Sequence, residues 1–338
     1  ASLFNLQTFG NIYTRLTNPT TAVLEERVAA LEGGTAALAV ASGHAAQLLC
    51  FHALMETGDH IVASRKLYGG SITQIGHSFK KFGWDSTFVD PDDAKNFAKA
   101  LTPRTKAIFI ESLANPGGVV CDIAGIAKVA HKAGVPLVVD NTLASPYLCR
   151  PFEWGADIVI HSMTKFLGGH GNSIGGIIVE GGKFDWTATP KKYPTLTEPT
   201  GSYHGLRFYE TFGNMAFAVA CRAVSLRDLG PAISPMNSFL ILTGIETLSL
   251  RMQRHCENAL VVAKHLQKHK KVSWVSYAGL PTDKYHKLAQ KYLPLGAGAV
   301  FTFGVKGGYQ AGVKLVENVE ILSHLANIGD TRSLIIHP

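Results

Sequence analysis

Between residues 22 and 180 short apolar runs alternate with stretches of helical period, and few folds accept that alternation. Runs at 36–41, 60–64, 86–89, 106–111, 136–140, 157–161 and 176–180 read as strands. Between them, Leu24, Val28 and Leu31 share one helical face that ends at Gly33-Gly34. Further helices are predicted over 43–55, 71–82 and 123–132, with another opened by Pro91-Asp92-Asp93. The strands are apolar throughout rather than alternating, as expected where helices cover both faces of a mostly parallel sheet. The link from Ser162 to Gly175 is barely a dozen residues and rich in glycine, about the least that a parallel crossover requires. The strand at 176–180 is therefore predicted to run antiparallel.

The pattern changes after residue 183. Pro190, Pro194 and Pro199 stand among Thr and Gly, which predicts a long ordered loop or linker to about residue 210. Beyond it the periodicity predicts a long helical region over 236–269, strands at 272–277 and 299–305 with a short helix between them, and a helix over 309–322. The predicted organisation is an arm (1–21), an α/β domain with a mostly parallel sheet and helices on both faces (22–210), and a smaller α+β unit (211–338).

Composition removes several function classes. With 46% hydrophobic and 17% charged residues, the chain can bury a core and is not of the disordered type. The longest purely apolar run, Met215 to Cys221, is far short of the roughly 20 residues of a membrane helix. The first residues, Ala1-Ser2-Leu3-Phe4-Asn5, show neither a basic nor an apolar signal region. Five cysteines (50, 121, 149, 221, 256), widely spread and without a CxxC pair, suit reduced thiols in the cytoplasm. A net charge of +7 raises the question of nucleic acid, but the densest basic run, Lys264, Lys268, Lys270 and Lys271, holds no aromatic residue to stack on a base. It reads as a solvated helix face, and an anionic small molecule suits a basic protein equally well. His265 and His269 have ligand spacing without an accompanying carboxylate motif, so no metal is expected.

In sheets of this kind, ligands bind at the carboxyl ends of the strands. After the run at 36–41 comes Ser42-Gly43-His44, a small-residue turn opening a helix whose free N–H groups make a phosphate cradle. After 106–111 comes Asn115-Pro116; after 136–139, Asp140-Asn141-Thr142; after 157–161, Ser162-Met163-Thr164-Lys165. Singly these are ordinary: a helix start, a cap or ribose-binding acid, a surface lysine. Together they put a phosphate cradle, an acid, two hydroxyls and a lysine on one edge. The simplest ligand matching all of them is pyridoxal 5′-phosphate (PLP), with lysine for the Schiff base and a carboxylate for the ring nitrogen. A nicotinamide enzyme would need the strand–GxGxxG–helix fingerprint, which this sequence lacks.

These segments resemble the Cys/Met-metabolism branch of fold-type I PLP enzymes. The resemblance is carried by Tyr13-Thr14-Arg15, Asn18-Pro19-Thr20, Leu31-Glu32-Gly33-Gly34, Ser42-Gly43, Tyr68-Gly69-Gly70, Glu111 with Asn115-Pro116, Asp140-Asn141-Thr142 and the block from Ser162 to Gly171. The stretches from Gly176 to Trp186 and from Tyr203 to Leu206 are similar to the sulfhydrylase subgroup. The resemblance implies that Lys165 carries PLP and shuttles protons, and that Asp140 keeps the ring nitrogen protonated. It further implies that Gly43, His44, Ser162 and Thr164 bind the phosphate, that Tyr68 stacks on the ring and assists the leaving group, and that Asn115 meets the ring's 3-oxygen or the substrate carboxylate. Tyr13 and Arg15, exposed arm residues on their own showing, would reach the phosphate of a neighbouring subunit, which implies a homotetramer of active-site-sharing dimers. The family's arginine for the substrate carboxylate lies beyond Pro338, so the C-terminal unit is expected to be incomplete, and Arg332 is not given that role.

The implied reaction is γ-replacement: O-acetyl-L-homoserine and sulfide give L-homocysteine and acetate. Cystathionine γ-synthase and methionine γ-lyase activities use the same scaffold and are the neighbouring alternatives.

Overall fold

The computed structural model describes residues 2–3, 5–8 and 10–337; Ala1, Phe4 and Phe9 of the arm and Pro338 of the C-terminal unit lie outside them. Its centre is a seven-stranded sheet. The strands are β1 (Ala36–Val40), β2 (His60–Ser64), β3 (Asp85–Val89), β4 (Thr105–Glu111), β5 (Leu137–Asp140), β6 (Ile158–Ser162) and β7 (Gly176–Glu180). Their order across the sheet is β1-β7-β6-β5-β4-β2-β3. Strand β7 is antiparallel to both β1 and β6, as the short Gly-rich link predicts, and the other pairings are parallel. Because β7 alone is reversed, the carboxyl ends of the other six strands meet on one edge, beside the first residue of β7. Gly176 pairs there with both Val40 and Ser162. A Cβ on Gly176 would lie 1.9 Å from the carbonyl oxygen of Ser42, so only glycine fits this close approach.

The uninterrupted apolar strands are explained by two cores. Val62, Ile108, Ile110, Val139, Val159 and Ile177 point to one face, where α1 (Pro19–Glu32), the helix Ile123–Lys132 and the helix Pro235–Ile245 cover them. Ile61, Ala63, Phe109, Val138, Ile160 and Ile178 point to the other, beneath α2 (Gly43–Leu54) and the helix Ala216–Ala220. Successive strand residues thus supply opposite cores, and burying each large aliphatic side chain contributes about 1.5–3 kcal/mol. Helix α1 stops at Gly33 in the left-handed region (φ +79°), as the sequence predicts, but it starts at an Asn18 cap, so its first turn takes up the last residues of the predicted arm.

Some expectations change. The stretch predicted as one helix over 71–82 is an α turn (Gly69–Thr73), a π segment (Gln74–Ser78) and a 3-10 turn (Phe79–Phe82). The region 183–210 is more than a linker: Trp186, Tyr193, Leu196 and Tyr203 are buried in the second core. The helical region over 236–269 is two helices, Pro235–Ile245 and Leu248–Lys268. At their junction Arg251 donates to the Gly244 carbonyl (2.8 Å), replacing the ladder bond that the break removes. The C-terminal strands are short and antiparallel, Val272–Ser276 beside Thr302–Val305, so the second begins later than predicted. The last helix, Gly308–Glu317, ends earlier.

Candidate active site

The strand ends bring most of the predicted residues together. Ser42 caps α2 by accepting from the Ala45 N–H (3.1 Å), which leaves Gly43 as the first helical residue. A Cβ on Gly43 would fall 2.7 Å from Ser162 Cβ, so the start of α2 and the end of β6 nearly touch. Ser162 is held from the other side, its N–H donating to Thr142 Oγ1 (2.8 Å). Thr164 closes the following loop on itself: its hydroxyl donates to the Gly175 carbonyl (3.3 Å) and accepts from the Gly175 N–H (3.1 Å).

Lys165 is half-buried, and its Nζ donates to Asn327 Oδ1 at 2.5 Å. Burial lowers the pKa of its ammonium, because the charged form loses hydration. The chain beyond Asn327 runs directly against the lysine backbone: a Cβ on Gly329 would lie 2.6 Å from the Lys165 carbonyl carbon. From below, Arg251 donates to the Phe166 (2.8 Å) and Leu167 (3.4 Å) carbonyls, fixing the lysine loop onto the helix Leu248–Lys268. Gly169 (φ +75°) and Gly171 (φ +64°) make the tight turns expected of the glycine run beyond.

Asp140 ends β5 and accepts from the Thr142 N–H (2.9 Å). Burial raises its pKa, and hydrogen bonds from Thr142 and from Gln47 of α2 oppose the rise. Directly across the sheet its register partner is Glu111, at the end of β4. Glu111 is buried, accepting from the Tyr68 N–H (2.6 Å) and the Asn115 N–H (3.1 Å). Burial, then the neighbouring charge of Asp140, push its carboxyl up to about 8. Tyr68 is half-exposed, with its ring 5.9 Å from that of His44. Burial lowers the pKa of His44, and the charge of Asp140 opposes the fall.

Tyr13 and Arg15 stand apart. Tyr13 is exposed, and Arg15 lies over its ring (5.3 Å) while donating to the Arg227 carbonyl. His265, in the last turn of the helix Leu248–Lys268, and His269, the residue that ends it, have rings 5.9 Å apart, and no group of three or more His, Cys, Asp or Glu among the described residues is placed to hold a metal ion. No helix among the described residues is long and apolar enough to cross a membrane. All five cysteines are free and buried.

The sequence reading missed several residues. Gln47 was legible in principle, as a polar residue four positions after Gly43 on a buried helix face. Asn327 sits 162 residues from Lys165 and gives no local signal. Beneath the edge, Glu32 Oε1 accepts from His161 Nε2 (2.5 Å) and Asn141 Nδ2 (2.8 Å), while Asn141 Oδ1 accepts from Ser112 Oγ (2.7 Å). This buried network ties α1 to three strand ends, each next to a site residue.

The residues present fit PLP. A close-packed helix start that a Cβ would fill is a place for backbone N–H groups to meet a phosphate. An aspartate partly withdrawn from water gains from a cationic partner, and the buried Gln47 Oε1 is without a protein donor. A half-buried lysine bonded to a neutral amide is a lysine with a lowered pKa.

The family described as Cys/Met metabolism PLP-dependent enzyme matches residues 1–338. The O-acetyl-L-homoserine sulfhydrylase of Leptospira meyeri is 54% identical, with 100% of this chain and 78% of that protein aligned. The homocysteine/cysteine synthase of Saccharomyces cerevisiae is 49% identical, covering 100% and 79%. A Campylobacter jejuni crystal structure described as an O-acetylhomoserine (thiol)-lyase with N'-pyridoxyl-lysine-5'-monophosphate superposes with a TM-score of 0.97 at 38% identity, covering 100% of this chain and 83% of that one.

Proposed function

The chain belongs to the Cys/Met metabolism PLP-dependent enzymes, and on that footing we propose that it makes L-homocysteine and acetate from O-acetyl-L-homoserine and sulfide. The observation that carries this reading is the half-buried Lys165 amine on the same sheet edge as Asp140, in a chain 54% identical over its whole length to a named sulfhydrylase. Bound PLP supplies an electron sink for the substrate's α-carbon.

The protein's own groups divide the remaining work. Lys165 Nζ holds the cofactor and, once released, takes the α-proton; partial burial favours the neutral amine that such a base requires. Asp140 would meet the ring nitrogen, whose positive N–H would offset the desolvation of its carboxylate. The N–H groups of Gly43 and His44 with the hydroxyl of Ser162 would hold the phosphate, joined by that of Thr164 once it turns from the Gly175 carbonyl. Tyr68 covers one face of the ring and assists departure of acetate, and Asn115 orients the ring's 3-oxygen or the substrate carboxylate.

In the same reading residues 22–210 form the PLP domain and 211–338 the α+β unit. The arm 1–21 carries Tyr13 and Arg15 to a neighbouring subunit in a homotetramer of dimers, working in the cytoplasm. The exposure of Tyr13 and the burial of every thiol support these assignments.

The test is the visible spectrum of the purified protein before and after borohydride, with mapping of the labelled peptide, then product analysis with sulfide, cysteine and methionine in parallel. A coloured band lost on reduction, a label on Lys165, and homocysteine formed from sulfide are expected. A colourless protein that takes up no PLP sinks the reading, and cystathionine from cysteine or breakdown of methionine as the main reaction would reassign the nucleophile.

A further inference from the structure

Two of the groups placed around the cofactor, Tyr68 and Asn115, belong to loops rather than to strand ends, so something must set those loops relative to Asp140. Tyr68 precedes the short helix Gly69–Thr73 and has no side-chain cap of its own. Asn115 lies four residues past the end of β4. One side chain meets both: Glu111 accepts from the Tyr68 N–H through Oε1 (2.6 Å) and from the Asn115 N–H through Oε2 (3.1 Å). Its own strand position is the register partner of Asp140, so the two carboxylates project from the same face of the sheet.

We propose that Glu111 is the positioning residue of the site, a single buried carboxylate that sets the Tyr68 ring and the Asn115 amide as one unit relative to Asp140. The proposal rests on the PLP reading above. A fold device alone would not need this arrangement. Glu111 is 4% exposed and beside a second acid, Asp140, an expensive place for a carboxyl group. Both oxygens of a carboxyl group can accept, even when one carries the proton that burial favours, whereas an amide has a single acceptor oxygen. Glutamine has one acceptor and would turn an N–H group toward one of the two backbone N–H donors. One loop would keep its bond and the other would lose it.

The experiment uses the apoprotein, PLP as the probe, and Glu111→Gln, Tyr68→Ala and the double variant. PLP affinity is read by quenching of protein fluorescence, and kcat and KM for O-acetyl-L-homoserine are read on the loaded enzymes. Glu111→Gln is expected to weaken PLP binding about tenfold and to lower kcat more than it raises KM, since misplaced groups are felt most at the reacting atoms. If Glu111 acts through the two loops, its substitution costs less PLP affinity beside Tyr68→Ala than alone, because only the Asn115 amide is then left to misplace, whereas independent effects would multiply in full. Should Glu111→Gln not fold, Glu111→Asp makes the same comparison, because it keeps the carboxyl group but withdraws it from both N–H groups by one methylene. Wild-type PLP affinity in the variant, or multiplying losses in the double, overturns the proposal. A wild-type protein that takes up no PLP overturns the reading of the site and this inference with it; a loaded wild type beside an indistinguishable variant overturns the inference alone.

Discussion

Two glycines at the mouth of the site should respond in opposite ways to the same added methyl. At Gly43 a Cβ would stand 2.7 Å from Ser162 Cβ, 3.1 Å from its Cα and 3.3 Å from its Oγ. Restoring ordinary carbon contact requires α2 and the end of β6 to part by about 1 Å. Little slack exists for that. Ser162 is tied to Thr142 and paired with Gly176, and the Ser42 carbonyl already fills the space above Gly176. The helix start must therefore move off the strand end, and the N–H groups proposed for the phosphate move with it. Overpacking of this kind costs about 1–3 kcal/mol, or about 5- to 150-fold in affinity if it falls wholly on the bound state. At Gly69, next to Tyr68, nothing lies within 4 Å of the same added atom. Titrating each apoprotein with PLP by fluorescence, Gly43→Ala is expected to bind about 100-fold more weakly and Gly69→Ala within about twofold of wild type. Near-normal binding by Gly43→Ala, or an equal loss at Gly69→Ala, would refute the placement of the phosphate at the start of α2.

Three further outcomes are expected. Asn141→Ala removes bonds to Ser112, Glu32 and the Cys149 carbonyl in a wholly buried place. A loss of about 3–5 kcal/mol, seen as a fall of about 4–7 °C in thermal midpoint, should result, against almost none for the exposed Asn318→Ala; a fall of under about 2 °C would speak against the network's role. Burial raises the Glu180 carboxyl to about 8, so the folded chain keeps a proton that the unfolded chain releases as pH climbs from about 4.5. Stability should fall across that window, and Glu180→Gln should flatten the fall by up to about 1.4 kcal/mol per pH unit in urea unfolding, leaving the share that Glu111 contributes with the same sign; equal slopes in both proteins would contradict this. Finally, Lys165→Ala and Arg15→Ala proteins, inactive or weak alone, should recover about a quarter of wild-type activity when unfolded and refolded together, because half of the dimers then carry one intact site; no recovery would argue that Arg15 serves its own subunit.

The legibility of the sequence depends on whether a residue's neighbours are fixed by a period. Apolar runs reveal the strands and their burial, because a sheet repeats every two residues and covered faces leave no polar positions. Chain length alone reveals the reversal of β7. Asp140, Ser162 and Lys165 are legible from their place at or just past the end of a strand, because parallel strands carry their carboxyl ends to one edge. Where a glycine or a competing hydrogen bond interrupts the period, the reading fails. The helix predicted at 71–82 breaks into three kinds of turn, and the long helix divides where Arg251 takes over the Gly244 carbonyl.

The loops show the deeper limit. Tyr68 and Asn115 enter through a resemblance, since neither has a periodic signature, and nothing local marks Asn327 as the partner of Lys165. Glu111 is the informative intermediate case. Like Asp140 it is an acid closing an apolar strand, so its position is visible, but its partners are backbone N–H groups whose identity depends on two loops folding back. A buried acid in that position has to be satisfied by something, and the sequence states the requirement without naming the donor. The candidate site obeys that division: strand ends supply the charges, and loops held by those same strand ends supply the shape.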